Sequence, residues 1–172
     1  TEQSQQLLSG IAELGILSVP PIHQNNFDVL FRRKEKIVCV TAENSIFLKG
    51  TTAPTLEELA EYPLCLSTGC HLMMSKIFAE KSIRPQVLSI CTTRTTALRW
   101  AEDDCGVSIV PMEPKEKLPE GLIAKAITGV DTDLYKTVVR VKGRPLSVVA
   151  KKFLQFYSDV RDSERMIKIK DL

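Results

Sequence analysis

Two hydrophobic periods alternate along the middle of this chain. Short apolar runs are each followed by a stretch whose apolar positions recur every three or four residues. The runs read as buried strands, and the stretches as helices packed on them. Pro63 to Ser67 is such a strand. It leads through Thr68, Gly69, Cys70 and His71 into a helix reaching Ile83, in which Met73 pairs with Ile77 and Met74 with Phe78 at i,i+4 spacing. Gln86 to Cys91 is the next strand. It feeds a helix opening at Thr92 or Thr93, whose hydroxyls suit the orphan N–H groups of a helix start. Ala97, Leu98 and Ala101 lie at helical spacing along it. Gly106 stands where this helix hands over to a strand, and Val107 to Val110 is that strand, stopped by Pro111. Strand, helix and parallel strand make a βαβ unit. At its active end the carboxyl end of a strand meets the amino end of a helix, and backbone donors and the positive dipole converge. Two such ends in one sheet face a common cleft.

The flanking segments read more weakly. Gln3 to Ser9 ends a helix closed by Gly10, and Ala12 to Leu17 is a strand ended by Ser18 to Pro21. Asn25 and Asn26 make a turn. Phe27 to Phe31 and Ile37 to Val40 are strands on either side of a charged, solvated rim from Arg32 to Lys36. Thr55 with Glu58 forms a capping box that starts a short helix to about Tyr62. After a loop from Pro114 to Gly121 come strands at Leu122 to Ile127 and Lys136 to Val141. The last helix follows Gly143 to Ser147, with Val149, Phe153, Phe156 and Val160 on one face. Charged residues from Arg161 to Arg165 suit an exposed tail. The alternation from Thr55 onward predicts an α/β protein with mostly parallel pairing. Ile37 to Val40 and Lys136 to Val141 flank the middle part as crossings between two lobes.

Composition narrows the class. The chain has 172 residues, 44% of them hydrophobic and 26% charged, with a formal net charge of +2. That is an ordinary globular composition for one domain or two small lobes, and the charge argues neither for nor against a polyanionic partner. No apolar run approaches a membrane span, and Thr1 to Ser9 lacks the basic start and apolar core of a signal peptide. The five cysteines show no C-x-x-C pair, which points to reduced thiols, mostly packing in a core, in the cytoplasm. His23 and His71 are far apart and have no carboxylates at ligand spacing, so no metal site is expected. No P-loop, G-x-S-x-G or dinucleotide glycine pattern is present. Asp103 and Asp104 form a solvated helix end. The polar groups expected at the cleft are Ser18, Ser67, Thr68, Thr92, Thr93 and backbone N–H groups. That set suits holding a small anion and offers no clustered acid and base.

Several stretches also resemble one family. They are Leu7 to Gly10 with Glu13 to Ile16, Thr55 to Leu64, Ile77 to Ala79 with Arg84 and Pro85, Cys105 to Pro111, and Lys142 to Ser147. In this order and spacing the chain resembles the effector-binding domain of LysR-type transcriptional regulators. The resemblance implies a fold like type 2 periplasmic binding proteins, with two α/β lobes joined by two crossing strands and a small molecule between them. By that likeness residues 1–41 with 141–172 form the first lobe and 42–140 the second. The effector would lie against Ser18, the turn Ser67, Thr68, Gly69 and Cys70, and the helix start Thr92 and Thr93. Ser18 stands where some relatives carry an arginine. The winged helix-turn-helix is absent, as are the first strand, first helix and second strand of the first lobe, so that lobe is expected to be incomplete. The implied function is effector sensing that controls DNA binding by the full-length protein. The implied partners are an anionic small molecule and further copies in a dimer or tetramer, with DNA reached only through the missing domain. No cofactor and no membrane contact are implied. A solute-binding protein and an enzyme on the same two-lobed fold are the alternatives.

Overall fold

A computed structural model describes residues 2–17, 24–114 and 116–161. In chain order the elements are α1 (Glu2–Ser9), β1 (Leu14–Leu17), β2 (Phe27–Ala42), α2 (Leu56–Ala60), β3 (Pro63–Ser67), α3 (Thr68–Glu80), β4 (Gln86–Cys91), α4 (Arg94–Glu102), β5 (Val107–Met112), β6 (Leu122–Ala126), β7 (Asp133–Val141) and α5 (Val148–Arg161). They divide between two compact units, one drawn from residues 1–34 and 135–172 and the other from residues 35–134. The strand end expected at Ser18 to Pro21 and the charged tail after Arg161 lie outside the described residues.

In the discontinuous unit β1 pairs with β7 antiparallel, from Leu14 opposite Arg140 to Leu17 opposite Thr137. Helix α1 covers one face, packing Leu7 with Leu17, Phe27 and Val139. It ends where expected, because Gly10 adopts φ +81°. The N–H groups of Gly10 and Ile11 then return to the carbonyls of Leu7 and Gln6 at 3.1 and 3.0 Å, a Schellman closure. Helix α5 covers the other face, burying Ala150 and Leu154 against Leu30, Phe31 and Val138. Here the sequence reading of the last helix is corrected. Val149, Phe153 and Phe156 are 77%, 44% and 68% exposed, and the side chain of Val160 lies outside the described residues. Periodicity finds the larger apolar stripe, whereas the sheet takes the smaller one, in which Ser158 is also buried.

Long-range bonds join the two ends of this unit. The Arg144 guanidinium donates to the carbonyls of Leu7 and Leu8 at 2.8 and 3.0 Å, closing the last turn of α1. The Glu13 carboxylate accepts from the Ser147 N–H and hydroxyl at 2.8 and 2.6 Å. The Ser147 oxygen in turn accepts from the N–H of Ala150 at 3.1 Å, capping α5. The Ser147 hydroxyl, and after it the Ser147 N–H, hold the Glu13 carboxyl below its ordinary pKa. A depressed carboxylate adds stability above its unfolded-state pKa and loses it as pH falls through its folded-state value. Glu13→Gln should therefore be less stable than the parent at neutral pH. That difference should shrink as pH falls below the ordinary carboxylate range, as read from urea midpoints across pH.

Strand β2 also departs from expectation. The charged run is not a rim between two strands but the middle of one 16-residue strand. A period of two explains how it is accommodated. Arg32, Lys34 and Lys36 point outward, while Glu35 and Ile37 are buried. The Arg32 guanidinium lies 3.5 Å over the Tyr135 ring, a cation–π contact.

The continuous unit holds a mixed sheet. Strand β3 lies between β4 and β5 and is parallel to both. Strand β2 is antiparallel to β5 and β6, so the expected parallel pairing is confined to β3, β4 and β5. Helices α2 and α3 cover one face, with Leu59, Leu64, Met74, Phe78 and Ile109 in the core. Helix α4 covers the other, packing Ala97, Leu98 and Ala101 on Val40 and Val110. The buried Ser108 hydroxyl donates to the Ala97 carbonyl and pins α4 to β5. The capping box of α2 forms as expected: Thr55 Oγ1 accepts from the Glu58 N–H at 3.2 Å, and Glu58 accepts from the Thr55 N–H at 2.8 Å. Helix α3 stops at Glu80, short of Ile83, because Ser82 turns left-handed at φ +58°. Asp104, at φ +49°, makes the same turn after α4. The left-handed turn falls to Asp104, and Gly106 is needed for a different reason. A Cβ there would stand 2.6 Å from the Pro63 carbonyl oxygen, so only glycine lets β3 and β5 approach.

Candidate functional site

Helices α3 and α4 start at the carboxyl ends of β3 and β4. These strands are parallel neighbours, with Ser67 opposite Cys91, so both helix starts lie at the same edge of the sheet. One hydrogen bond ties them together: Thr68 Oγ1 donates to the Thr92 carbonyl at 3.1 Å. The two starts differ in their caps. Thr93 caps α4, its oxygen accepting from the Thr96 N–H at 3.1 Å and lying 2.9 Å from the Thr96 hydroxyl. Ser67 occupies the cap position of α3, yet its side chain makes no cap bond. The start of α3 thus lacks the side-chain cap that α4 has, and an uncapped helix start attracts anions.

Beneath this edge the groups are sealed. Ser67 and Cys70 are buried, at 3% and 1% exposure, with Ser67 Oγ 3.5 Å from Cys70 Sγ. The Cys70 thiol donates to the Ile109 carbonyl at 3.2 Å, linking α3 to β5. Burial pushes its pKa up to about 11, so it is a protonated donor at neutral pH and not a nucleophile. Burial does the same to Cys39 and Cys65, at about 12 and about 11. Of the five free cysteines only Cys105 is exposed, in keeping with thiols that mostly pack in a core. A disulfide-exchange reagent should thus modify one thiol quickly in the native chain and all five after denaturation. A Cys105→Ser variant should lose the fast phase.

The sequence reading passes over a charged pair here. Arg94 opens α4, where a cation opposes the helix dipole. It donates through Nη1 to Glu116, which lies beyond β5. The other Glu116 oxygen accepts the Glu113 N–H at 3.0 Å. An arginine at a predicted helix start was the available signal, since such a charge needs a carboxylate partner. A cleft of about 620 Å³ also exists, lined by Phe78, Ile83 and Arg84 among others. It lies at the far end of α3 and contains none of the hydroxyls described above.

Comparison with known proteins completes the picture. The family model for the LysR substrate binding domain matches residues 1–162. The chain belongs to this family. Solved structures of LysR-type regulators share its fold. The effector-binding domain of QuiR in complex with shikimate has 21% identity and a TM-score of 0.72, over 92% of this chain and 77% of that one. The regulatory domain of CcmR from Synechocystis PCC6803 in complex with 2-PG has 16% identity and a TM-score of 0.73, over 92% and 78%. Full-length CbnR with its target DNA has 19% identity and a TM-score of 0.68, over 95% of this chain and 56% of that one. A search of curated protein sequences returns no significant match.

Within this LysR substrate-binding domain, Thr68, Thr92 and Thr93 lie together on the exposed edge, with Gly69 half-buried beside them. Ser67 and Cys70 lie just below and act through packing and hydrogen bonds. Ser18 lies outside the described residues. Among the described residues no helix is long and apolar enough to cross a membrane.

Proposed function

We propose that this chain is the effector-sensing part of a LysR-type transcriptional regulator. It takes a small anionic metabolite at the adjoining starts of α3 and α4. The observation that carries this reading is the Thr68–Thr92 hydrogen bond. It sets an α3 start lacking a side-chain cap beside a hydroxyl-capped α4 start on one strand edge. Shikimate and 2-PG, the ligands named for two structural relatives, are small oxygen-rich molecules of the kind such an edge would hold. In the full-length regulator the bound effector shifts an equilibrium between arrangements of a dimer or tetramer on DNA, which requires a differential affinity for the two states. The reading as a sensor and not an enzyme follows the family, whose solved relatives here are regulatory domains.

The test is a thermal-shift screen of small carboxylates and phosphates on the 172-residue chain, with shikimate first. A ligand at 100 times its Kd should add about 2.7 kcal/mol of stability. Calorimetry with the best hit then separates two roles of Thr93. Thr93→Val should weaken binding by about 1–3 kcal/mol where an acceptor on the ligand is left unpaired, and should also cost about 1 kcal/mol of stability through the lost cap. Thr93→Ser should keep both. Thr68→Val should weaken binding by a similar amount by freeing the two loops from each other. Unchanged affinity in both valine variants would reject the site.

A further inference from the structure

The cleft at the far end of α3 takes no part in the edge where α3 and α4 begin. It lies wholly within the continuous unit and measures about 620 Å³, inside the usual range for a small-molecule site. Its apolar walls come from Phe78, Ile83 and Pro85, and its polar groups from Ser75, Ser82 and Arg84. Phe78 is held in the core, whereas Arg84 is exposed. Among the described residues the Arg84 side chain makes no ion pair or hydrogen bond, and the two serine hydroxyls make none either. Glu80, the nearest acid in sequence, is paired with Lys76 at 3.7 Å. The turn that shapes the cleft is strained. Ser82 is left-handed at φ +58°, in the position closing α3 where glycine is the common residue. Its N–H donates to the Ala79 carbonyl at 3.0 Å, and the Ile83 N–H donates to the Phe78 carbonyl at 2.9 Å. Serine costs more than glycine in that conformation, and what it adds is a hydroxyl lining the cleft. The negative end of the α3 dipole opposes an anion here, but it amounts to about half a charge. Against it stands the full positive charge of the Arg84 guanidinium.

We infer that this cleft is a second small-molecule site, taking a monocarboxylate with a compact apolar body. Arg84 pairs with the carboxylate, using the fork of donors that a guanidinium presents. The Ser82 hydroxyl donates to the same group, and the apolar body packs on Phe78, Ile83 and Pro85. An apolar lining with a few convergent polar groups is the usual make-up of such a site. The inference goes beyond effector sensing at the α3 and α4 edge and does not depend on it.

The test is an NMR titration of the isotope-labelled 172-residue chain with hydrocinnamate, with its neutral amide and acetate as controls. The cleft is open to solvent, so the expected Kd is on the order of 1 mM. Saturable shifts should appear at the amides of Ser82, Ile83 and Arg84, while those of Thr68 and Thr93 stay in place. The neutral amide lacks the charge and acetate lacks the body, so each should bind about tenfold more weakly or worse. Arg84→Gln should weaken hydrocinnamate by a similar factor and keep the parent's melting temperature. Ser82→Gly should raise the melting temperature, because glycine relaxes the left-handed turn, and yet bind several-fold more weakly. A response that does not saturate would overturn the inference, as would equal affinity for the neutral amide or unchanged affinity in Arg84→Gln. Shifts confined to Thr68 and Thr93 would overturn it too, while supporting the α3 and α4 edge, so the two sites stand or fall separately.

Discussion

Phe78→Ala should destabilise the chain by about 3–5 kcal/mol, the cost of deleting a buried aromatic side chain and leaving a cavity behind. Phe78 is 2% exposed and completes, with Cys70 and Met74, the stripe that α3 presses against the sheet. A typical domain has only about 5–15 kcal/mol in hand, so most of its margin would be lost. The comparison that gives this meaning is Phe156→Ala. Phe156 is 68% exposed, and its removal from the 172-residue chain should change stability by no more than about 0.5 kcal/mol. Urea midpoints at constant m-value measure both. If the two substitutions cost the same, the inner and outer faces of these helices have been assigned wrongly.

Gly106→Ala should cost about 2–3 kcal/mol, although it adds a single methyl group. The new Cβ would meet the Pro63 carbonyl oxygen at 2.6 Å, and that atom belongs to the backbone, which cannot swing aside. Strand β3 would have to move away from β5, weakening the ladder that runs from Leu64–Val107 to Leu66–Ile109. Strand β3 ends in Ser67, so the start of α3 would shift with it. Lower urea midpoints should thus come with faster amide exchange at Leu64 and Leu66. A variant with the parent's midpoint would show that the two strands tolerate a wider spacing. Gly50 is the contrast, since a Cβ there meets nothing within 4 Å; any cost at Gly50 comes from its φ of +78°.

What the sequence made legible follows local chemistry. The capping box at Thr55, the cap at Thr93 and the closure at Gly10 each depend on a few neighbouring residues, and each forms as read. The two strand-to-helix junctions were legible because a short apolar run gives way to helical spacing at each, which put Thr68, Thr92 and Thr93 on one edge. Features set by distant partners were not legible. Nothing near Gly106 announces Pro63, which is remote in sequence and adjacent in space. The run Arg32 to Lys36 looks like a break because charge dominates its composition, but alternate residues of a strand face opposite ways, and Glu35, with Ile37 just past the run, faces inward. In α5 two apolar stripes compete, and residue size favours the wrong one. The Arg94–Glu116 pair joins a helix start to a loop beyond β5, a match that no local pattern contains.

The interrupted unit has a consequence for synthesis. Its Arg144–Leu7 and Glu13–Ser147 bonds span 137 and 134 positions, whereas residues 35–134 are one unbroken stretch. On the ribosome the central stretch can close its core while residues 135–172 are still being translated. Leu7, Leu17 and Phe27 must wait, since Val139 is made more than a hundred residues after them. During that wait Leu7, Leu17 and Phe27 stay uncovered, and an apolar segment in that state is the kind that holdase chaperones bind and that aggregates when they are scarce.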